Sequence, residues 1–186
     1  MVKINTIYLD ADGTIADWVR GVITAGGLDY KQAMKEWPPG EYSTAEALKI
    51  TPAQLRQSVA RLRERFWREL PVYRGARAFY AALCCVAPVY FCTDPTWNDY
   101  SAAGKIWWLK EFTRNSWMEN YILTPHKHLL SREGVVLIDD NPLLCAKFEN
   151  GPGRAILVPR IWNCLGDMGN KTYPYVLEEL HALRNG

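Results

Sequence analysis

The chain runs to 186 residues, 48% of them apolar, which suits one domain with a buried core and room for a small second lobe. Its 22 basic and 20 acidic residues leave a net charge of +2, a balance that gives no support to a nucleic-acid-coating protein, a polybasic membrane binder or an acidic disordered tail. Eight Trp are many for this length, and they suggest wide apolar contacts or a ring-binding cleft, with core packing the simpler expectation.

The first ten residues, Met1 to Asp10, carry one Lys and then a short apolar run that ends in an acid. That pattern predicts a strand over Ile4–Leu9, not a signal peptide. The stretch from about Asp17 to Val72 is two to three times too long for one crossover helix and contains no convincing strand. It reads as a helical lobe inserted after the first strand. Trp37-Pro38-Pro39-Gly40 marks a break between helices. Thr51-Pro52-Ala53-Gln54 is a helix start, with Pro at the first position and Gln placed for a capping box. Leu55, Val59, Leu62 and Phe66 then recur at helical spacing, with Arg56, Arg61, Arg63 and Arg65 elsewhere on the helix.

Beyond the insert, Gly75–Cys84 and Ala102–Phe112 carry helical patterns, and Pro88–Cys92, Val135–Ile138 and Ala155–Val158 are short apolar runs. Tyr121–Leu123 is a weaker fifth strand. Gly151-Pro152-Gly153 is a turn before the last strand; no helical pattern follows it, so it is no dinucleotide loop. Strands that are apolar on both faces and alternate with helices predict a doubly wound α/β core around a parallel sheet.

Polar residues gather where three strands end. The first closes in Asp10-Ala11-Asp12-Gly13-Thr14, the second in Cys92-Thr93-Asp94-Pro95 and the fourth in Asp139-Asp140-Asn141-Pro142. Any one of these could be an ordinary turn. In an open parallel sheet, however, the carboxyl ends share the edge where ligands bind. Asp10, Asp12 and Asp139 brought together would repel one another unless a cation lay among them. Carboxylate oxygens with no His or Cys nearby favour Mg²⁺. A carboxylate can attack phosphorus to form an aspartyl phosphate, and a second acid two residues on can protonate the leaving oxygen and later activate water. Thr93, the neighbouring backbone amides and a Lys would serve the phosphoryl oxygens.

Asp10-Ala11-Asp12-Gly13-Thr14, Thr93, Lys127 and Asp139-Asp140 resemble, in order, the four motifs of the haloacid dehalogenase-like (HAD) phosphatases. The resemblance implies a Rossmann-like α/β core, residues 1–16 and 73–186, and a small helical C1 cap, residues 17–72, that closes over the substrate. By position, Asp10 resembles the nucleophile and Asp12 the general acid/base, while Thr93, Asp94 and Lys127 resemble the phosphate-binding group. Asp10, the main-chain carbonyl of Asp12, and Asp139 resemble the Mg²⁺ ligands, with Asp140 supporting them.

Within that superfamily the chain is most similar to the 5'(3')-deoxyribonucleotidase group of cytosolic type. The strings that carry this likeness are Leu9–Trp18, Phe66-Trp67, Phe91–Pro95, Gly104-Lys105 with Trp108, Ile122–Lys127 and Leu137–Asp140, so it reaches about as far as Asn163. It implies a nucleoside monophosphate substrate, with Trp18 as the base platform and Lys105 near the substrate; a solvated helix lysine is an equal reading of Lys105. Two departures bear on specificity. Asp94 stands where the better-known members have Ser, and Pro125-His126 replaces an Arg-Asp pair before the motif lysine.

The remaining features have simple readings. Cys84, Cys85, Cys92, Cys145 and Cys164 are odd in number with no Cys-x-x-Cys pair, which favours a reducing, cytoplasmic setting over disulfides or zinc. His126 and His128 lack a third ligand, so His126 beside phosphate is favoured over a transition-metal site. Arg61–Arg65 reads as a solvated helix face, Trp107 and Trp117 as packing, and Val158–Asn163 as a segment within reach of the site edge. Trp97 and Trp162 are assigned to strand-end loops, and Trp117 to the helix after the second strand. The expected partner is a small nucleoside monophosphate, with no nucleic acid polymer and no membrane, and a homodimer is compatible with the sequence. The alternatives are a phosphatase for another small phosphorylated metabolite such as a sugar phosphate, and a non-catalytic phosphate-binding protein. The last is disfavoured because Asp10 and Asp12 are both present.

Overall fold

The computed structural model describes residues 3–96 and 98–185; Trp97 lies outside them. Five strands form one parallel sheet in the order β3-β2-β1-β4-β5. They are β1 (Thr6–Leu9), β2 (Val89–Thr93), β3 (Tyr121–Leu123), β4 (Val135–Asp139) and β5 (Arg154–Leu157). Each lies within a residue or two of its expected run, because side chains apolar on both faces are stable only between two helical layers.

Alternation divides the core between those layers. Ile7, Leu9, Phe91, Val136 and Ile138 point to one side with Phe79, Leu83, Leu109 and Val176. Tyr8, Cys92, Val135 and Leu137 point to the other with Phe148. The first layer draws on α6 (Ala76–Cys84), α7 (Ser101–Thr113) and α9 (Thr172–Asn185), the second on α8 (Pro142–Glu149). The sheet is therefore doubly wound. The chain leaves β1 toward β2 and β3, then returns to pair β4 on the opposite edge of β1. That change of direction opens a crevice between the carboxyl ends of β1 and β4.

Between β1 and α6 lie α1 (Trp18–Ala25), α2 (Tyr30–Glu36), α3 (Thr44–Ala47), α4 (Pro52–Leu62) and α5 (Glu64–Arg68). The chain enters and leaves this insert side by side. Asp17 N–H donates to the Pro71 carbonyl (2.7 Å), and Tyr73 N–H to that of Ile15 (3.0 Å). Asp17 also caps α1 by accepting from Arg20 N–H and from the Tyr73 hydroxyl. Thr51 and Gln54 form the expected reciprocal capping box.

Two expectations need correction here. The Leu55–Phe66 stripe is not one helix: Arg63, at φ +51°, breaks it, leaving Leu62 exposed on α4 and turning Phe66 and Trp67 inward on α5. Trp117 lies past the end of α7 and is 87% exposed, so it packs against almost nothing. Arg61–Arg65 is solvated as expected. No helix among the described residues is long and apolar enough to cross a membrane, and the five cysteines are free thiols.

The insert meets the core where α5 crosses α7. Gly104 makes this possible: a Cβ there would lie 2.5 Å from Trp67 Cβ and 3.1 Å from the Glu64 carbonyl oxygen. Replacing a helical Gly with Ala normally gains up to about 1 kcal/mol, whereas overpacking against atoms held by backbone costs about 1–3 kcal/mol. The overpacking dominates, so Gly104→Ala should lower the denaturation midpoint. A midpoint raised by the substitution would show that the α5–α7 contact is loose.

Candidate active site

The crevice holds a cavity of about 450 Å³, lined from the sheet side by Asp10, Asp12, Thr93, Asp94, Lys127, Asp139 and Asp140. The insert closes the other wall with Trp18, Tyr42, Leu55 and Arg56. The strand ends thus bring together the acids, the hydroxyl and the lysine that the motifs single out.

Lys127 is the hub of this group. It begins a short 3-10 turn after β3 and is 2% exposed. Its ammonium donates to Asp10 Oδ1 at 2.5 Å and to Asp139 Oδ2 at 2.6 Å. Burial alone would lower its pKa, but Asp10 and Asp139 outweigh burial and hold it well above the ordinary lysine value. Asp10 is held well above the usual carboxylate range, by burial first and then by its acidic neighbours, with Lys127 opposing. Burial, and next Asp139, push Asp140 up to about 7.

Lys105 is a second buried cation, and the solvated reading of it is overturned. It is 3% exposed, lies 2.6 Å from Asp12 Oδ2, and donates to Thr93 Oγ1 (3.2 Å) and to the Asp94 carbonyl. Its ammonium sits 4.9 Å from the centre of the Trp67 ring. Lys105 follows Gly104, the point where α7 lies closest against α5. The Asp94 carboxylate turns back on its own loop and accepts from Thr96 N–H at 2.6 Å.

Trp18 lines the cavity and also packs against the core. His126 does not reach the site. It is exposed, absent from the cavity wall, and set edge-on to His128 with ring centres 5.9 Å apart.

Further contributors are Tyr42, which the sequence did not single out, and Arg160 and Trp162, for which it placed only the segment near the site edge. Tyr42, on the loop between α2 and α3, lines the cavity. Arg160 lies buried and donates to the carbonyls of Gly13 and Thr14, clamping the acid loop. Trp162, in the strand-end segment expected within reach of the site edge, donates its indole N–H to Asp140 Oδ2 at 2.6 Å. The one available signal was position, since Val158–Asn163 follows a strand of the same sheet. Gly13 carries φ +73°, and a Cβ there would collide with the Asp140 carboxylate. Both the turn and the close approach therefore require glycine.

The donor set suits a hard divalent cation. Asp10, Asp139 and Asp140 offer oxygens within 4.8 Å of one another, and Asp12 Oδ1 is buried without a hydrogen-bond partner. Asp10, Asp12, Asp139 and Asp140 face the two ammonium groups of Lys105 and Lys127, and no His or Cys joins the acid group among the described residues. Hard oxygen ligands with surplus negative charge favour Mg²⁺ over a softer metal.

Neither a family model nor a curated protein matches the sequence. Solved structures do. A haloacid dehalogenase-like family hydrolase from Streptococcus pneumoniae matches with TM-score 0.54 and 17% identity over 97% of this chain and 98% of its own. A "predicted phosphatase" from Clostridium acetobutylicum matches with TM-score 0.56 and 14% identity over 98% of each chain. Bacillus subtilis YfnB, assigned as a HAD-hydrolase and bound to magnesium, matches with TM-score 0.53 and 14% identity over 99% of this chain and all of its own. The chain has the HAD fold.

A pH dependence follows from the raised carboxyls. A group whose folded pKa lies above its ordinary value stabilises fully below that ordinary value, 3.8 here, and the contribution is lost as pH rises through the folded pKa, about 7 for Asp140. Without metal, Asp140 should therefore make the protein less stable as pH rises from about 4 to about 7, and Asp10, raised in the same direction, should add to the loss. Mg²⁺ should raise the melting temperature more at the upper end of that range, where protons no longer compete for the oxygens. An equal rise at both ends would place the cation elsewhere.

Proposed function

We propose that the protein is a Mg²⁺-dependent phosphomonoesterase that hydrolyses (deoxy)nucleoside monophosphates through a phosphorylated Asp10. The observation that carries this reading is the convergence of Asp10, Asp12, Thr93, Lys127 and Asp139 on one cavity at the carboxyl ends of three strands. The HAD fold, shared with proteins named as hydrolases and phosphatases, is consistent with it.

In this reading the phosphoryl group lies over Asp10, its oxygens held by the Lys127 ammonium, the Thr93 hydroxyl and the Asp94 amide. An Asp10 oxygen attacks phosphorus as the ester oxygen leaves with a proton from Asp12. Asp12 then takes a proton from water, the water oxygen attacks phosphorus, and inorganic phosphate departs, restoring Asp10. Lys105, bonded to Asp12 and Thr93, keeps the acid/base group and a phosphate ligand in one orientation. Arg160 fixes the turn that sets Asp12 two residues beyond Asp10. A divalent cation held by Asp10, Asp139 and the Asp12 carbonyl, beside Asp140, would neutralise charge on the phosphoryl oxygens.

The leaving group faces the insert, residues 17–72, which acts as a cap. Trp18 and Tyr42 provide aromatic surface there, and this supports a planar base in the substrate. The volume of about 450 Å³ falls within the usual range for small-molecule sites.

The test is phosphate release from a panel of nucleoside monophosphates and sugar phosphates, with and without Mg²⁺. Asp10→Asn should abolish turnover, and removal of Mg²⁺ should stop the wild type. Trp18→Ala should raise KM for nucleotides by about tenfold or more, the equivalent of one lost base stack, and leave a sugar phosphate nearly unaffected. Full activity in Asp10→Asn would exclude the phosphoenzyme, and a preference for sugar phosphates would exclude the nucleotide assignment.

A further inference from the structure

We propose that Trp162 is a positioning residue for Asp140, and that its ring contact with Trp37 ties the acid cluster to the helical insert. The inference rests on the reading of that cluster as a divalent-cation site. Its starting point is a short segment after β5 that grips one acid at two places. Trp162 donates its indole N–H to Asp140 Oδ2 at 2.6 Å. Asn163 Nδ2 donates to the Asp140 carbonyl at 3.0 Å and to the Val158 carbonyl at 2.8 Å, which holds the Asp140 backbone against the end of β5.

Asp140 has little room to move. Its carboxylate leans on Gly13 of the acid loop, where no Cβ could be accommodated. The acid next to it, Asp139, contacts Lys127. A hydrogen bond from a neutral donor to a buried carboxylate is strong, and its loss strands an acceptor away from water. Trp162 is itself 5% exposed, so no solvent stands ready to replace its N–H.

The same side chain touches the insert. Its ring centre lies 6.0 Å from that of Trp37, tilted by 54°. Beside it, Gly40 N–H donates to the Ile161 carbonyl at 2.8 Å. Trp37 in turn donates its own indole N–H to the Glu41 carbonyl at 3.0 Å. The loop braced in this way carries Tyr42 into the cavity wall. A continuous set of contacts thus runs from the acid cluster through Asp140, Trp162 and Trp37 to the loop that faces a bound ligand. Outer contacts of this kind orient metal ligands, and their removal commonly costs 10- to 100-fold in affinity.

Trp162→Phe keeps an aromatic ring against Trp37 and removes only the N–H. By titration calorimetry its Mg²⁺ dissociation constant should rise about tenfold, and excess Mg²⁺ should restore turnover, which a folding defect would not allow. Trp37→Leu should weaken Mg²⁺ binding about threefold by freeing the Trp162 ring, and should have no further effect when added to Trp162→Phe. In the wild type, the indole N–H resonances of Trp162 and Trp37 should shift together as Mg²⁺ is added, while that of exposed Trp117 stays in place. A Mg²⁺ affinity unchanged in Trp162→Phe, additive effects in the double variant, or unmoved Trp162 and Trp37 resonances would each overturn the inference. A wild type that binds no Mg²⁺ would overturn both this inference and the metal-dependent function. A wild type that binds Mg²⁺ but releases no phosphate from any substrate would overturn the function alone.

Discussion

The carboxylates of Asp10, Asp12, Asp139 and Asp140 and the ammonium groups of Lys105 and Lys127 meet at the crevice between β1 and β4, most of them removed from water, and the rest of the structure can be understood as the means of keeping them there. A buried charge without a partner is costly, and removing one member of such a pair commonly destabilises by about 3–5 kcal/mol. Lys127 meets this constraint by bridging Asp10 and Asp139, which come from different strands. Lys105 meets it at Asp12. The lysines do not cancel the acids, and the surplus negative charge gives the crevice its chemistry: it stabilises a cation and, with that cation, a phosphoryl group.

The insert is part of the same arrangement. Lys105 reaches Asp12 from α7 with its ammonium near the Trp67 ring on α5, and Trp108 on α7 donates its indole N–H to the Leu70 carbonyl at 2.7 Å. The insert is thereby joined to the helix that carries one of the buried charges. Arg160 adds a brace from the far end of the chain, held between the carbonyls of the acid loop and the Tyr73 ring, 4.1 Å from its guanidinium carbon. No carboxylate lies within ion-pair distance of it among the described residues, so carbonyl oxygens and aromatic faces satisfy its charge.

What could be read from the sequence was what depends on local pattern. Runs such as Val135–Ile138 are apolar at every position because both faces of a parallel strand are buried, and Thr51 and Gln54 lie only three residues apart in their capping box. The acids at strand ends were visible for the same reason, since each sits at the boundary of a recognisable run. Contacts made across the fold were not visible. Nothing near Lys105 in the chain indicates that its ammonium ends at Asp12, because the placement of α7 beside the ends of β1 and β2 decides it. Trp162 reads as a bulky apolar residue until its N–H is seen on Asp140. The break at Arg63 is a backbone event in a sequence whose side-chain spacing continues unbroken, and Trp117 shows that a large apolar side chain need not be buried.

The strand order also affects how the chain must assemble. β1 is the first strand in sequence and the middle one in space, flanked by residues around Val89 on one edge and Val135 on the other. Partners so far apart in the chain carry a large loop-closure cost before any pairing is gained, which slows folding. During synthesis, a largely apolar strand would wait with both edges open while the whole helical insert and α6 emerged behind it. Unpaired edges of that kind are templates for pairing between chains. The insert, built from short-range helices that can form early, would cover part of this surface in the interval, so its first service to the acid loop would come before there is any substrate to enclose.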